Sequence, residues 1–288
     1  MLIVSLLLNG LVLGSILLLA SLGLTLIYGV GRVVNFAHGA LFSIGAMCAV
    51  WLMTLGLPFW LALVGSLIIV GLAGVVIDWS ILARIRDRPM VDSLLLTFGI
   101  AMLITGVLYE SGGRHVQVLL PPEALQGTVH VLGTALPVYR VFVSVLAIAL
   151  SIALLIFLKR SNWGLRVRAA NDDGEMAACL GINRNTLMHS VVGVSAALVA
   201  ISGAAAAPIF NAYATVGDKI LILAFMTVIL GGLGSLRGAI VAAYVVGMIM
   251  VFGEAYSGGQ AALLVLFLLV MAMLIRWPRG FFGEGRTE

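Results

Sequence analysis

Long, unbroken apolar runs are the feature that most constrains the fold of this chain. Hydrophobic residues make up 62% of the sequence and charged residues only 10%, whereas a soluble domain carries about 25% charged residues. A helix needs about 20 apolar residues to cross the hydrocarbon core of a bilayer, and membrane β-barrels show ten-residue alternation instead. The sequence therefore predicts an all-α, polytopic helical membrane protein, with residues 1–288 as one transmembrane domain. The candidate spans are residues 3–29, 39–57, 59–82, 92–110, 137–158, 188–209, 220–236, 238–256 and 260–276.

The run at residues 220–236 is the weakest of these candidates. It is short, and it ends in the glycine-rich sequence Gly-Gly-Leu-Gly-Ser at residues 231–235. Such a segment either crosses the membrane or forms a broken, re-entrant piece that is buried in protein. The expected number of membrane helices is therefore eight or nine.

The basic residues predict the orientation of the chain, because cytoplasmic loops of membrane proteins are enriched in Lys and Arg. If residue 32, residues 84–88, residues 159–184, residue 237 and residues 276–286 share one side, that side holds 13 of the 16 basic residues. This partition requires nine crossings, a periplasmic N-terminus and a cytoplasmic C-terminus. The first apolar run lacks the basic start and cleavage site of a signal peptide, so we expect it to remain as a membrane helix.

One long polar segment, residues 159–187, interrupts the apolar sequence after the fifth run. A simple connector needs only a few residues, so the length indicates a function. The segment is predicted to be a short cytoplasmic helix, capped by Asn171 or Asp172 and ended by Gly181. Its small residues would offer another protein a flat docking surface. The alternative is a solvated connector whose arginines only set the topology.

A second candidate site begins at Asn35, where a helix is predicted to start after a glycine-rich turn. The Asn35 side chain can accept hydrogen bonds from first-turn amides. Free amides at a helix start within the membrane can also bind a carboxylate ligand. The alternative, which the residues alone favour, is an ordinary cap at a cytoplasmic turn, with His38 bonded to a neighbouring carbonyl. We also expect Asp78 to form an ion pair with Arg84.

Several functions are unsupported by the sequence. No glycine-rich phosphate loop followed by Lys-Ser or Lys-Thr is present, and neither a zinc motif nor a catalytic constellation can be identified. The basic residues are scattered and form no nucleic-acid-binding patch. A stand-alone secondary carrier or channel would need ionisable residues in mid-span, and these are nearly absent. We therefore expect a non-enzymatic chain that holds no metal or cofactor of its own.

Three stretches carry a resemblance to a known family. The sequence GLRVRAANDDGEMAACLGI at residues 164–182 resembles the Glu-Ala-Ala-type cytoplasmic loop of permeases of the branched-chain amino-acid ABC transporter family. Glu175, Ala177 and Gly181 match that motif, and Met176 replaces its middle alanine. SLGLTLIYGVGRVVNFAHGALF at residues 21–42 and AFMTVILGGLGSLRGA at residues 224–239 are similar to the family's early and late signatures. Asp78 departs from the family pattern, which usually has Glu there, and residues 84–88 also differ.

The resemblance implies a function and a set of partners. The chain would be the H-type permease subunit of an importer in the bacterial inner membrane, beside a second homologous permease subunit. Two ATP-binding subunits would use ATP and Mg²⁺, and a periplasmic binding protein would deliver the substrate. Substrates in the family are leucine, isoleucine and valine, or by divergence urea, short amides or aromatic acids. Residues expected to couple to the ATPase are Arg168, Asp173, Glu175, Ala177 and Gly181, and candidate residues of the translocation pathway are Asn35, His38, Gly39, Gly231, Gly232 and Gly234.

Overall fold

The computed structural model describes residues 2–86, 88–131, 133–278 and 280–282, and these residues are mostly helical. A 3-10 turn at Leu82–Ile85 follows α3, and a kinked turn at Tyr109–Gly113 follows α4. The helices are α1 (Leu2–Gly31), α2 (Ala37–Thr54), α3 (Phe59–Ser80), α4 (Met90–Leu108), α5 (Val138–Arg160), α6 (Asn162–Asp172), α7 (Gly174–Cys179), α8 (Arg184–Phe210), α9 (Val216–Gly231), α10 (Leu236–Ser257) and α11 (Gly259–Arg276).

Eight helical stretches among the described residues are long and apolar enough to cross a membrane. They correspond to eight of the nine predicted runs, so the prediction of a polytopic all-α membrane protein is confirmed. Only a small antiparallel hairpin, β1 (Thr128–Val131) with β2 (Thr134–Pro137), departs from the helical pattern in the described chain. The hairpin lies in the connection between α4 and α5, which the sequence left as a loop.

The ninth predicted run forms α9, which has only 16 residues and yet joins the two ends of the bundle. Just before α9 begins, Ala212 pairs with Gln117 in the loop that follows α4. Where α9 ends, the Leu230 carbonyl accepts a hydrogen bond from the Phe281 amide (2.9 Å). The helix is about 24 Å long at 1.5 Å per residue. The described chain therefore crosses the bundle nine times. As a result, its first and last described residues lie at opposite ends of the bundle.

The two ends of the bundle differ in charge. At one end, which we call the basic end, lie the described Lys and Arg residues of the connections near 32, 84–88, 159–184, 237 and 276. At the other end, which we call the opposite end, Arg114 pairs with Glu110, Arg140 contacts Asn9, and Lys219 pairs with Glu254. The distribution of charge predicted from the sequence is thus reproduced in three dimensions.

Small residues let α8 occupy the centre of the bundle. In its most apolar 18-residue stretch, 83% of the residues are buried. Gly74 of α3 faces Ala196, and a side chain added at Gly74 would place its Cβ 2.5 Å from the Ala196 Cβ. Gly45 of α2 and Gly203 of α8 likewise face backbone atoms of the other helix. In membranes, such small residues allow close helix approach. By contrast, only 22% of the residues are buried in the most apolar 18-residue stretches that include α4 and α11, and many of their large apolar side chains face outward, where lipid would contact them.

Candidate functional sites at the basic end and in the bundle interior

Within the polar segment, residues 159–187, the chain forms two short helices, α6 and α7, at the basic end, and the prediction of a single helix is wrong. Asp173 separates α6 from α7 because its backbone is extended (φ −149°) and its Oδ1 accepts hydrogen bonds from the Glu175 and Met176 amides, at 3.0 Å each. Asn171 and Asp172, predicted as caps, are instead the last two residues of α6. Gly181 does follow the end of α7, with φ +86°, a conformation that favours glycine.

The predicted coupling residues occupy different positions in the polar segment. Arg168 and Glu175 are exposed, and Asp173 acts as the α7 cap. Ala177 is 3% exposed and faces the bundle, so it holds α7 against the protein. The outward face of α7 instead presents Met176 and Leu180, which are 59% and 76% exposed.

The exposure of Met176 and Leu180 is not among the predictions from the sequence. Apolar side chains four residues apart lie on the same face of a helix, and this spacing was the signal that could have identified them. Large exposed apolar side chains in an otherwise charged segment are typical of a protein-binding surface. Together with Glu175, Met176 and Leu180 form what we call the α7 face.

The first helix of the polar segment is fixed firmly to the bundle. Ser161 caps α6 by accepting a hydrogen bond from the Gly164 amide (2.9 Å). The Trp163 indole donates to Ser190 Oγ of α8 (2.8 Å), and Val167 is buried. The position of α6 is therefore determined by α5 and α8, and α7 extends from it.

The second candidate site lies inside the bundle, because α2 begins there. His38 Nε2 lies 2.8 Å from the Ala20 carbonyl, and Ala20 is eleven residues before the end of α1. At 1.5 Å per residue this is about 16 Å from the basic end. The Phe36 amide donates to Thr97 Oγ1 of α4 (3.2 Å). Residues 32–36 therefore run from the basic end back into the interior before α2 starts.

Both local features predicted at this helix start are present. Asn35 Oδ1 accepts a hydrogen bond from the Ala37 amide (3.0 Å), and His38 is bonded to a neighbouring carbonyl. Asn35 is 3% exposed and His38 is 1% exposed. Nδ1 of His38 and Oγ of Ser195 are buried without a hydrogen-bonding partner in the described protein. The interior thus contains unpaired polar atoms beside the start of α2.

The candidate pathway residues fall into two separate sets. Gly39 of the first set packs against α9, since an added Cβ would lie 2.8 Å from the Leu221 Cβ. The second set, Gly231, Gly232 and Gly234, lies at the basic end, where Gly234 approaches Gly29 of α1. Ala20 and Gly29 are nine residues apart, which is about 14 Å along α1. The structure therefore does not bring the two sets together at one point.

A buried polar cluster joins α3 to α8 near the basic end. Asp78 accepts two hydrogen bonds from Arg86 (2.8 and 2.7 Å), and His189 Nδ1 lies 2.6 Å from Asp78 Oδ2. Arg86 also donates to Asn185 (2.7 Å). The predicted pair of Asp78 with Arg84 is wrong, because the 3-10 turn at Leu82–Ile85 returns the chain so that Arg86 faces the carboxylate. A small cavity of about 20 Å³ lies beside this cluster and is lined in part by Asp78, Arg86 and Asn35. This volume can hold about one water molecule.

Apolar helices long enough to span a bilayer, with a folded polar segment at one end, define a polytopic membrane protein. The profile of the family described as branched-chain amino acid transport system, permease component, matches residues 6–275. The chain belongs to this family.

Curated relatives agree with this assignment. The chain is 28% identical to the high-affinity branched-chain amino acid transport system permease protein LivH of Salmonella typhimurium, over 97% of this chain and 95% of the relative. It is 28% identical to the corresponding protein BraD of Pseudomonas aeruginosa, over 98% and 96% of the two chains. It is 27% identical to a probable LivH of Methanocaldococcus jannaschii, over 93% and 89%. No solved structure matches the chain.

Proposed function

We propose that this chain is the membrane-spanning permease subunit of a binding-protein-dependent ABC importer for leucine, isoleucine and valine. Membership of the permease family supports the class of protein, and the names of the relatives support the substrate. The observation that carries the proposal furthest is the α7 face, an exposed apolar surface at the end of the bundle where basic residues collect. The two ATP-binding subunits dock there and supply ATP hydrolysis, for which this chain has no phosphate loop.

The proposal includes an orientation. The basic end faces the cytoplasm, since basic residues collect on the cytoplasmic side of membrane proteins, and the N-terminus is periplasmic. A periplasmic binding protein delivers the substrate to the opposite end, beside the loop that carries the hairpin β1–β2. A second homologous permease subunit completes the transporter in the bacterial inner membrane. The apolar interior suits weak, transient contact with the substrate, and specificity then resides in the binding protein.

The coupling role is tested by the double variant Glu175→Ala and Gly181→Ala. The first change removes an exposed charge from the α7 face, and the second strains the turn after α7, where φ is +86°. We expect uptake of radiolabelled leucine, isoleucine and valine to fall by about tenfold or more, a loss within the range of coupling between allosteric sites. The ATPase subunits should co-purify less well, while membrane insertion is unchanged.

The matched control is Arg114→Ala at the opposite end, whose ion pair with Glu110 is exposed. This variant should co-purify with the ATP-binding subunits as the wild type does. Normal transport by the double variant would refute the coupling role. Competition with urea, acetamide and benzoate tests the substrate class, because inhibition by one of these and not by leucine would contradict import of branched-chain amino acids.

A further inference from the structure

The three sequence stretches that carry the family resemblance meet at one point of the basic end. Asn171 at the end of α6 lies against Gly29 in the last turn of α1, so that a Cβ added at Gly29 would be 2.7 Å from Asn171 Oδ1. A Cβ added at Gly234, in the turn between α9 and α10, would lie 3.7 Å from the same oxygen and 3.5 Å from the Gly29 Cα. The amide oxygen therefore occupies space that exists because Gly29 has no side chain.

This contact links the polar segment to α1 and to the α9–α10 turn, which are not the elements that hold the start of α6. The start of α6 is bonded to α5 and α8 through Ser161 and Trp163. Its last turn, by contrast, reaches α1 and the α9–α10 turn through Asn171. Directly after Asn171 and Asp172 the chain enters α7, which carries the α7 face. A displacement of α7 thus acts on the residues next to Asn171.

We propose that Asn171 is a positioning residue that transmits movement of the α7 face to α1 and to the α9–α10 turn, by way of Gly29 and Gly234. This inference rests on the proposed function, in which ATP-binding subunits dock on the α7 face. When those subunits close, the last turn of α6 shifts with α7 while its first turn stays bonded to α5 and α8. The side chain of Asn171 then moves the end of α1 and the α9–α10 turn. The close contact supports this role, because chains of packed side chains and rigid helices carry energetic coupling between distant sites.

The test is a double-mutant cycle of Asn171→Ala and Gly29→Ala, with Gly99→Ala as the matched control. Alanine at position 29 would displace the end of the Asn171 side chain, whose Oδ1 and Cγ are the atoms within 3.5 Å of the added Cβ. Removal of the Asn171 amide restores that space. Gly99 is also a helical glycine, but an added Cβ there meets nothing within 4 Å.

The first measurement is the amount of radiolabelled leucine imported per ATP hydrolysed, in proteoliposomes that contain the complete transporter. Each single variant should lower this ratio by about fivefold or more, at the low end of typical allosteric coupling. The double variant should lose no more than Asn171→Ala alone, because the two changes remove the same contact. A wild-type ratio in both single variants, or fully additive losses, would overturn the proposal.

The second measurement needs no partner and no transport. Cys179 of α7 is exposed, whereas Cys48 is buried, so a nitroxide label in a Cys48→Ser background reports on α7. In liposomes, Asn171→Ala and Gly29→Ala should both increase the mobility of the label, and Gly99→Ala should not. Unchanged spectra in both would refute the contact. If the wild-type transporter imports no leucine, isoleucine or valine, the proposed function fails, while the label still decides the role of Asn171.

Discussion

At the scale of single residues, Asp78, Arg86 and His189 form a polar cluster whose ion pair is buried. The side chains of Asp78 and Arg86 are 2% and 4% exposed, and each satisfies the other. Removal of one partner of a buried ion pair leaves an uncompensated charge, which costs more than the pair itself contributes. The cluster therefore holds the start of α8 against α3, just where the polar segment joins the bundle.

We predict that Arg86→Ala lowers the free energy of unfolding by about 3 kcal/mol, because it leaves the Asp78 carboxylate buried without its main partner. Thermal unfolding of the purified protein in detergent would measure this. Arg114→Ala is the control, because the side chains of Arg114 and Glu110 are 62% and 75% exposed, and exposed pairs contribute about 1 kcal/mol or less. Equal losses in the two variants would show that the cluster does not stabilise the fold.

Single residues also mark the limit of prediction from sequence. The sequence predicted that the Asn35 side chain would accept a hydrogen bond from a first-turn amide, because this contact joins residues two positions apart. It did not identify Ala20 as the carbonyl that contacts His38, because that residue is 18 positions away. It could not distinguish Gly203, where an added Cβ would clash with the backbone of α2, from Gly99, where an added Cβ would meet nothing within 4 Å. Both are glycines in apolar helices, and only the neighbouring helix in space gives them different roles.

At the scale of elements, the α7 face explains why a short polar helix carries large apolar residues. Met176 and Leu180 are directed away from the bundle, while Ala177 on the other side is buried. This division of α7 into an anchored side and a free side could be predicted only in part. The sequence indicated a helix and its end at Gly181, but the break at Asp173 divides the segment in two and decides which side chains face outward.

We predict that Leu180→Asp weakens co-purification of the ATP-binding subunits at least as strongly as Glu175→Ala does. A charge in the centre of an apolar contact must be desolvated without a partner. The control is Leu55→Asp in the turn after α2, since Leu55 is 78% exposed, nearly the same as Leu180 at 76%, but does not belong to the α7 face. If Leu55→Asp disrupted the complex and Leu180→Asp did not, docking of the ATP-binding subunits on the α7 face at the basic end would be refuted.

The start of α2 shows a second limit at the scale of elements. The sequence predicts a helix start near Asn35, yet its depth in the bundle depends on Ala20 of α1 and Thr97 of α4. These contacts link residues 18 and 61 positions apart along the chain. The pattern of apolar residues predicts which segments are helical. It does not predict how deeply a connecting segment such as residues 32–36 re-enters the bundle.

At the scale of the whole molecule, α9 decides the topology. The segment is too short to qualify by length as a membrane span, which is why the sequence left eight or nine crossings open. Its contacts at both ends of the bundle require that it cross, because Gln117 and Phe281 bind the chain at its two ends. With nine crossings, the end of α10 at Ser257 lies at the opposite end and Arg276 lies at the basic end.

This topology predicts the labelling of two single cysteines by a membrane-impermeant maleimide in intact cells, in a Cys48→Ser, Cys179→Ser background. Ser257→Cys should react from the outside, since its neighbours Tyr256 and Gly258 are exposed at the opposite end. Arg276→Cys should react only after the cells are opened. A separate variant that keeps Cys179 as its single cysteine, in a Cys48→Ser background, is the control, because Cys179 is exposed in the polar segment and should behave like position 276. If α9 did not cross, α10 and α11 would both be reversed, and the labels at 257 and 276 would exchange sides while that of Cys179 stayed the same.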